Sequence, residues 1–571
     1  MHTGHLIVDL LKKRGVKYIF GVPGGQTLPL YDAVKDAYPD LKHITMREER
    51  NAGYAACAYS RVTGELGVCD ATVGPGVTQL PTALGEAYNS STPLLALISD
   101  LPLDWVNKVD YGTASQGMYQ LEMLRPVSKW QAKATSPKIL PELVQSAWQK
   151  ALTGRPGPVV LAVPEDVFSA ECDLSEFETD PTISKNSYPA YRPLSAADEI
   201  EAATDLLLTA KRPVLIAGGG ALISGAYEEV EKLAEYLSMP IATTFTGKGV
   251  ISENHSLSIG MLGGIGINYT YQLTQQADVV LLVGFKSGQN STFSWTLPTP
   301  KQKVIHLDID ASEIGKVFKT EAGIAADAKV GLGQLLRALN ERTDGKPQTK
   351  EKYLNEVAAT KKQWEKEMRD DLTADIPIKP QRIVQELSEM MGSEDILVCD
   401  ASFTSGWGAV YYRVKQAGRK VLFPRGLAGL GFGLPAAIGA RMAQPKGNIV
   451  CLSGDGAFAY TVSELATLKK FGLKIINVVL NNSDWGWIEW VSKLNFDKEH
   501  FDLPFVDYAR VAEGFDCLGF SVEKPHQFKE AFQAALDSDR SSVINVRTAV
   551  WETPVLSFKE ALAKKNKVAY L

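Results

Sequence analysis

Disulfide and zinc chemistry have little to work with in this chain. Its six cysteines, Cys57, Cys69, Cys172, Cys399, Cys451 and Cys517, stand apart among 571 residues. They include no C-x-x-C pair, which argues against a disulfide framework or a zinc site and fits a reducing cytoplasm. Long hydrophobic runs are absent as well, none reaching the roughly 18 residues that a membrane span needs. The opening MHTGHLIVDLLKKRGV places its charges after a short apolar run and lacks a small-residue cleavage site, so it reads as a first amphipathic helix and not as a signal peptide. Charge of one sign is scarce too. A net −6 from 60 basic and 66 acidic residues gives no reason to expect nucleic acid or a membrane as partner.

What is present is an ordinary globular composition, 45% hydrophobic and 22% charged, in a chain too long for one core. Short β-rich runs ending in Gly or Pro turns alternate with helical stretches. That pattern predicts an α/β fold of three domains, each a mainly parallel sheet flanked by helices, at 1–170, 190–345 and 375–555. The acidic, Ser/Thr/Pro-rich stretch 171–192 reads as a surface linker, and the polar run 341–352 opens a second connector. The first and third units share an organisation that suggests an ancient duplication.

The most informative stretch runs from 454 to 487. The strand NIVCLS leads into Gly454-Asp455-Gly456, then Thr461-Val-Ser-Glu464 has the pattern of a capping box. The next strand, KIINVVL, ends on Asn481-Asn482. In a βαβ unit both strand ends emerge at one edge, so Asp455 and Asn482, 27 positions apart, are expected to meet there. A carboxylate from Asp455, an amide oxygen from Asn482 and the carbonyl of Asp484 suit a hard divalent cation holding a diphosphate. Gly454 and Gly456 allow close backbone approach to that group. Either half alone is a common turn; the combination at this spacing carries the reading.

GDG followed by NN after somewhat under thirty residues resembles the signature of the thiamine-diphosphate-dependent enzymes. The resemblance implies thiamine diphosphate and Mg²⁺ as cofactors. Metal ligands fall on Asp455, Asn482 and Asp484, and cofactor contacts extend over Gly454, Gly456, Ala457 and Gly486. TMREERNAGYAACAYSRVTG resembles the segment in which a Glu hydrogen-bonds N1′ of the cofactor's pyrimidine and promotes loss of the C2 proton; this falls on Glu49, with Glu48 as the rival by one residue of register. GVPGG (21–25) and GPGVTQ (74–79) match as well, so Pro75 and Gln79 are expected in the pyrimidine pocket. LAGLGFGLPAAIGA places Leu430 as the apolar wedge under the bent cofactor, and DASFT makes Ser402 and Thr404 candidate diphosphate donors.

GVPGGQTLPLYDAV, RPVLIAGGG, SIGMLGG and HLDIDASEIGK resemble the acetolactate synthase branch over nearly the whole chain. That likeness implies a carboligase that decarboxylates a 2-oxo acid such as pyruvate and adds the carbanion to a second carbonyl compound. Gln116 is then an active-site residue, and Trp487 and Trp490 line the substrate pocket, although a Trp is equally often a core residue. No His lies between His43 and His255, which argues against the His-pair apparatus of the related decarboxylases. The resemblance also implies FAD in the middle domain. Ile265 and Lys286 stand where the synthases carry His and Arg, which counts against FAD, while Gly218, Gly219 and Gly220 keep a dinucleotide phosphate open. Trp485 and Trp487 add bulk beside the clamp and suggest an alternative, a C–C lyase or hydrolase acting on a cyclic or linear diketone. A silent paralogue is a minor alternative that predicts loss of Glu49, Asp455 or Asn482, and all three are present. The family builds each site from two subunits, so an obligate homo-oligomer, dimer or tetramer, is expected. These residues leave a regulatory subunit unassigned.

Overall fold

The computed structural model describes residues 1–181, 187–496 and 501–564. Three six-stranded sheets, parallel throughout, form from hydrophobic runs that are joined by helices, as βαβ crossovers require. By compactness the chain falls into two units. One comprises 1–191, 424–446 and 460–475; the other comprises 192–423, 447–459 and 476–571.

The first unit holds β1 (Tyr18–Gly21), β2 (Lys42–Thr45), β3 (Gly67–Ala71), β4 (Leu94–Asp100), β5 (Trp130–Lys133) and β6 (Pro158–Pro164), in the order β2-β1-β3-β4-β6-β5. Every residue of β3, β4 and β6 is buried, as expected of strands covered on both faces. The order reverses between β1 and β3, so the crevice at the carboxyl edge of this sheet opens between the loops that follow those two strands. Helix Gly433–Ala443 packs along helix Glu49–Thr63. Phe432, at its start, lies edge-on to Tyr54 at 5.2 Å and beneath the Arg61 guanidinium at 5.6 Å.

The second unit carries two sheets. The first contains β7 (Pro213–Ala217), β8 (Ile241–Thr243), β9 (Ser258–Met261), β10 (Val279–Val283), β11 (Lys303–Asp308) and β12 (Ala322–Ala325), ordered β12-β11-β10-β7-β8-β9. This is the Rossmann order, with its reversal between β7 and β10. The other contains β13 (Ile396–Cys399), β14 (Val421–Leu422), β15 (Ile449–Gly454), β16 (Ile476–Asn481), β17 (Leu518–Val522) and β18 (Ser542–Arg547), ordered β14-β13-β15-β16-β18-β17. That order repeats the first sheet strand for strand and reverses between β13 and β15. The shared organisation expected of the first and third sheets is therefore present in their topology.

The polar run 341–352 runs from the end of helix Ala328–Arg342 into the 20-residue helix Glu351–Asp370, whose Tyr353 and Val357 are buried against the Rossmann-ordered sheet. One expectation needs correction: the capping box at 461–464 does not form. The Thr461 hydroxyl is buried without a partner, and the Glu464 carboxylate turns to Arg47, Asn51 and Thr467. Part of the expected linker, 182–186, lies outside the described residues.

A buried carboxylate fixes the segment leading into helix Gly433–Ala443. Glu86, fully buried, pairs with Arg61 at 2.6 Å and accepts the Leu427 N–H at 2.7 Å. Glu86→Leu would strand the Arg61 charge in an apolar setting. Unfolding free energy should fall by about 3–5 kcal/mol, the usual cost of breaking a buried pair from one side. Urea denaturation checks this, and a loss under about 1 kcal/mol would assign the anchoring elsewhere.

Candidate functional site

In the second unit the site grows from strand register. β15 and β16 pair with Gly454 opposite Leu480, so Asp455 and Asn482 leave the sheet side by side at its carboxyl edge. The Asp455 carboxylate draws hydrogen bonds from the backbone N–H groups of Gly456, Ser483 and Asp484. Those bonds tie the two strand ends together. Burial nevertheless pushes Asp455 up to about 6. Asp484 also rises to about 6, through burial first and then the charges of Glu489, Asp455 and Asp502. One oxygen of Asp484, Oδ1, is buried without a hydrogen-bond partner.

This donor set fits a divalent cation. Two carboxylates crowded in a poorly solvated corner repel each other, an orphaned carboxylate oxygen waits for a partner, and strand register brings Asn482, two residues before Asp484, to the same edge as Asp455. A hard cation with oxygen ligands suits all three conditions. Gly456 has a different reason to be glycine from the one its motif suggested: a Cβ there would sit 2.7 Å from the ring of Trp485. Gly454, by contrast, faces open space, as a backbone that must admit a ligand should. Gly486 opens helix Gly486–Asn495 close to the Asn482 amide, and Ala457 is buried in the turn Asp455–Ala459.

Ser402 follows β13 in a left-handed conformation at φ 68°. The buried Thr404 hydroxyl donates back to the carbonyls of Asp400 and Ala401, at 3.0 and 2.6 Å, so its hydrogen is engaged within its own turn. Trp487 is half-buried against Phe403 and Phe558, with ring centroids 5.5 and 5.3 Å away. Trp490 is 5% exposed and stacked on Phe558. This places Trp490 in the hydrophobic core and leaves Trp487 at its margin.

In the first unit the loops after β1, β2 and β3 supply the groups. Glu49 is the first residue of its helix, and Glu48 is the N-cap. Glu48 is paired with Arg50 at 2.9 Å. Glu49 has no such pair among the described residues. Burial raises its carboxyl above the usual range; its own N–H opposes, and the charges of Asp70 and Glu48 add to the rise. Gly76 lies so close that a Cβ would come within 2.8 Å of the Glu49 carboxylate. The structure thus separates the two neighbours that sequence register alone left adjacent. Pro75 opens the short helix Pro75–Gln79, and both of its end residues are exposed. Leu430 is half-buried just before helix Gly433–Ala443.

Gln116 is exposed, in a left-handed conformation at φ 64°. It is not alone. Thr72 donates to Gln26 Oε1 at 2.8 Å, and Gln26 Nε2 donates to Gln116 Oε1 at 3.2 Å. Gln26, directly after GVPGG, was missed in the sequence. Its position beside a loop already singled out was the available signal. Asp70 was missed as well: it is fully buried, accepts a short hydrogen bond from the Tyr31 hydroxyl, and lies 2.8 Å from His43 Nε2. A carboxylate inside a strand that otherwise reads as apolar could have flagged it.

In the Rossmann-ordered sheet, Gly218, Gly219 and Gly220 lie at the reversal between β7 and β10. The Gly218 N–H donates to Val283 O at 2.9 Å and the Gly220 N–H to Gly284 O at 3.0 Å. Two donors expected to be open to a phosphate are therefore engaged. Ile265 is buried in the core, and Lys286 is exposed.

Three sequence profiles of one family match the chain: the N-terminal TPP binding domain of thiamine pyrophosphate enzymes over residues 1–124, their central domain over 200–339, and their C-terminal TPP binding domain over 400–546. Fold and site together define an α/β thiamine-diphosphate enzyme. A probable acetolactate synthase large subunit of Methanocaldococcus jannaschii is 34% identical over 96% of this chain and 92% of its own length. Acetolactate synthase large subunits of Corynebacterium glutamicum and Lactococcus lactis are 32% and 33% identical, over 94% and 91% of this chain and 85% and 88% of theirs. The chain belongs to the acetolactate synthase large-subunit family of thiamine pyrophosphate enzymes.

Proposed function

We propose that this enzyme is a carboligase that decarboxylates a 2-oxo acid such as pyruvate and adds the resulting two-carbon unit to a second carbonyl compound. The observation that carries the proposal is the joint presence of the β15–β16 clamp and the half-buried Glu49, which has no ion pair among the described residues, in a chain whose relatives are acetolactate synthases. Bound thiamine diphosphate supplies a carbon nucleophile and an electron sink next to the carbonyl. The protein's part is to hold and steer. Asp455, Asn482 and Asp484 would hold Mg²⁺, and with it the diphosphate, helped by Gly454, Gly456, Ala457, Gly486 and Ser402. Glu49 holds the proton shared with the pyrimidine ring, flanked by Pro75 and Gln79. Leu430 would support the cofactor from its apolar side, Gln116, held by Gln26, is the first unit's candidate for the substrate, and Trp487 is the second unit's.

The three functional parts correspond to a pyrimidine-binding domain at 1–170, a Rossmann-like domain at 190–345 and a diphosphate-binding domain at 375–555. The enzyme works in the cytoplasm as a homo-oligomer. Flavin is not needed in this reading, because Gly218 and Gly220 have partners and Ile265 is a core residue; a colourless purified protein would agree, and a yellow one would overturn it. A second reading, cleavage of a cyclic or linear diketone, is favoured by the aromatic bulk of Trp485 and Trp487. Product analysis with pyruvate, other 2-oxo acids and cyclic diones decides between them. Acetohydroxy acid products are expected, and dione cleavage without any carboligation would replace the first reading with the second.

Glu49→Gln should leave folding and cofactor affinity near wild type and slow C2–H exchange of bound thiamine diphosphate by about 10²–10⁴-fold. Exchange at the wild-type rate removes Glu49 from the site.

The metal site should be acid-sensitive. Asp455, the carboxylate ligand of the clamp, binds a cation only when ionised, and burial pushes it up to about 6. Below that pH protons compete, so Mg²⁺ affinity should fall about tenfold per pH unit for each proton displaced, and it should be level from about pH 7 upward. Calorimetry across this range checks it. Affinity unchanged down to about pH 5 would place the metal elsewhere.

A further inference from the structure

Glu464 is one of the fully buried carboxylates that the proposed chemistry leaves unused. It is fully buried, and among the described residues it forms no ion pair. Three donors converge on it. Oε1 accepts the backbone N–H of Arg47 at 3.0 Å and the Asn51 side-chain amide at 2.8 Å, while Oε2 accepts the Thr467 hydroxyl at 2.6 Å. All four residues belong to the first unit.

Two of the donors bracket Glu49. Arg47 lies two residues before it, and Asn51 lies two residues after it in the first turn of helix Glu49–Thr63. The first N–H groups of a helix have no partner within the helix, and such an end frays unless something outside holds it. The N-cap here, Glu48, makes no side-chain cap bond, being drawn to Arg50. Glu464 does not cap those N–H groups; from the turn Val462–Glu464 it holds instead the Arg47 N–H just before the N-cap and the Asn51 side chain in the first turn. Taking a carboxylate out of water costs several kcal/mol unless its geometry is well satisfied, and an apolar residue would fill the same space without that cost. What an apolar residue cannot do is fix the position of one backbone N–H and one amide to within a few tenths of an ångström.

We propose that Glu464 is a positioning residue for Glu49, locking the turn that precedes and the turn that carries the catalytic carboxylate so that it is presented in one orientation. The proposal rests on the reading of Glu49 given above. Glu464 acts as an acceptor. A glutamine oxygen could replace its Oε1 toward Arg47 and Asn51, and the Thr467 hydroxyl, which both donates and accepts, could turn to meet the amide.

The test compares Glu464→Leu, Glu464→Gln, Asn51→Ala, Thr467→Val and Glu49→Gln in the full-length protein. The first readout needs no cofactor: amide hydrogen exchange of peptides spanning residues 47–52, followed by mass spectrometry. Glu464→Leu and Asn51→Ala should speed exchange there, Glu464→Gln should not, and Thr467→Val should leave it unchanged although it removes a bond to the same carboxylate. The second readout is C2–H exchange of bound thiamine diphosphate with Mg²⁺. Glu464→Leu should slow it by about 10- to 100-fold, the penalty of a misplaced catalytic group, with Glu464→Gln close to wild type. Asn51→Ala should slow it in the same direction, and it carries the test if Glu464→Leu does not fold.

Slow exchange in Glu49→Gln together with wild-type exchange in Glu464→Leu and Asn51→Ala would overturn the positioning role alone. Wild-type exchange in Glu49→Gln would overturn the Glu49 reading and this proposal with it. Equal slowing in Thr467→Val, or a Glu464→Gln as slow as Glu464→Leu, would show general destabilisation or a need for charge, and either result overturns the proposal.

Discussion

The parallel register of β15 on β16 is the constraint from which the rest of the second unit's site follows. With Gly454 opposite Leu480, the chain has no freedom to separate Asp455 from Asn482. Two acidic side chains, Asp455 and Asp484, are thereby forced into one corner where water is scarce. Backbone N–H groups from Gly456, Ser483 and Asp484 offset part of that cost, but not all of it, since both carboxyls stay well above their ordinary range. The remaining imbalance is what a divalent cation relieves. Trp485, carried into place by the same strand end, is then packed against Gly456, so even the aromatic bulk beside the clamp is a consequence of register.

The first unit relies on a different device, the buried carboxylate that collects donors from segments remote in sequence. Glu86 holds Leu427 and Arg61, Glu464 holds Arg47 and Asn51, and Asp70 holds Tyr31 and His43. Each such group is costly to desolvate and tolerates little misplacement of its donors. An apolar core would pack these segments as well, yet would let them slide by fractions of an ångström. Glu464 holds the residues on either side of Glu49, the Asp70 charge acts on the Glu49 carboxyl, and Glu86 holds the segment that carries Leu430, which is where sliding would matter most for a catalyst.

The sequence revealed central elements better than peripheral ones. The strands β2, β5, β9, β12 and β17, short and hard to pick out from the sequence, all lie at sheet edges. Four of these five carry part-exposed residues, with burial interrupted along β2, β5, β12 and β17, so their hydrophobic runs are broken. Central strands such as β4 and β10 are buried throughout and read plainly. Helix Glu351–Asp370 escaped because its charges outweigh one narrow apolar stripe around Tyr353 and Val357. The clamp was legible because two short motifs at strand ends need only the βαβ rule to meet. Gln26, Asp70 and the partners of Glu464 were not, because their meaning lies in contacts that sequence spacing does not encode. The capping-box reading of Thr461 and Glu464 failed for the same reason: a distant turn competed for the carboxylate and won.

Topology alone does not decide which crevice takes a ligand. The first sheet and the sheet of β13–β18 share one strand order, the middle sheet has the Rossmann order, and all three have a reversal point where ligands are expected. At the middle reversal, the N–H groups of Gly218 and Gly220 already donate to Val283 and Gly284. At the β13–β15 reversal, Gly454 faces open space and Asp484 keeps an oxygen without a partner. The difference between a crevice that packs and a crevice that binds is therefore local: it is whether the polar groups at the strand ends have found partners within the protein. On that measure the diphosphate-type clamp is poised for a ligand, while the glycine cluster of the middle sheet has been turned to holding its own helix against the sheet.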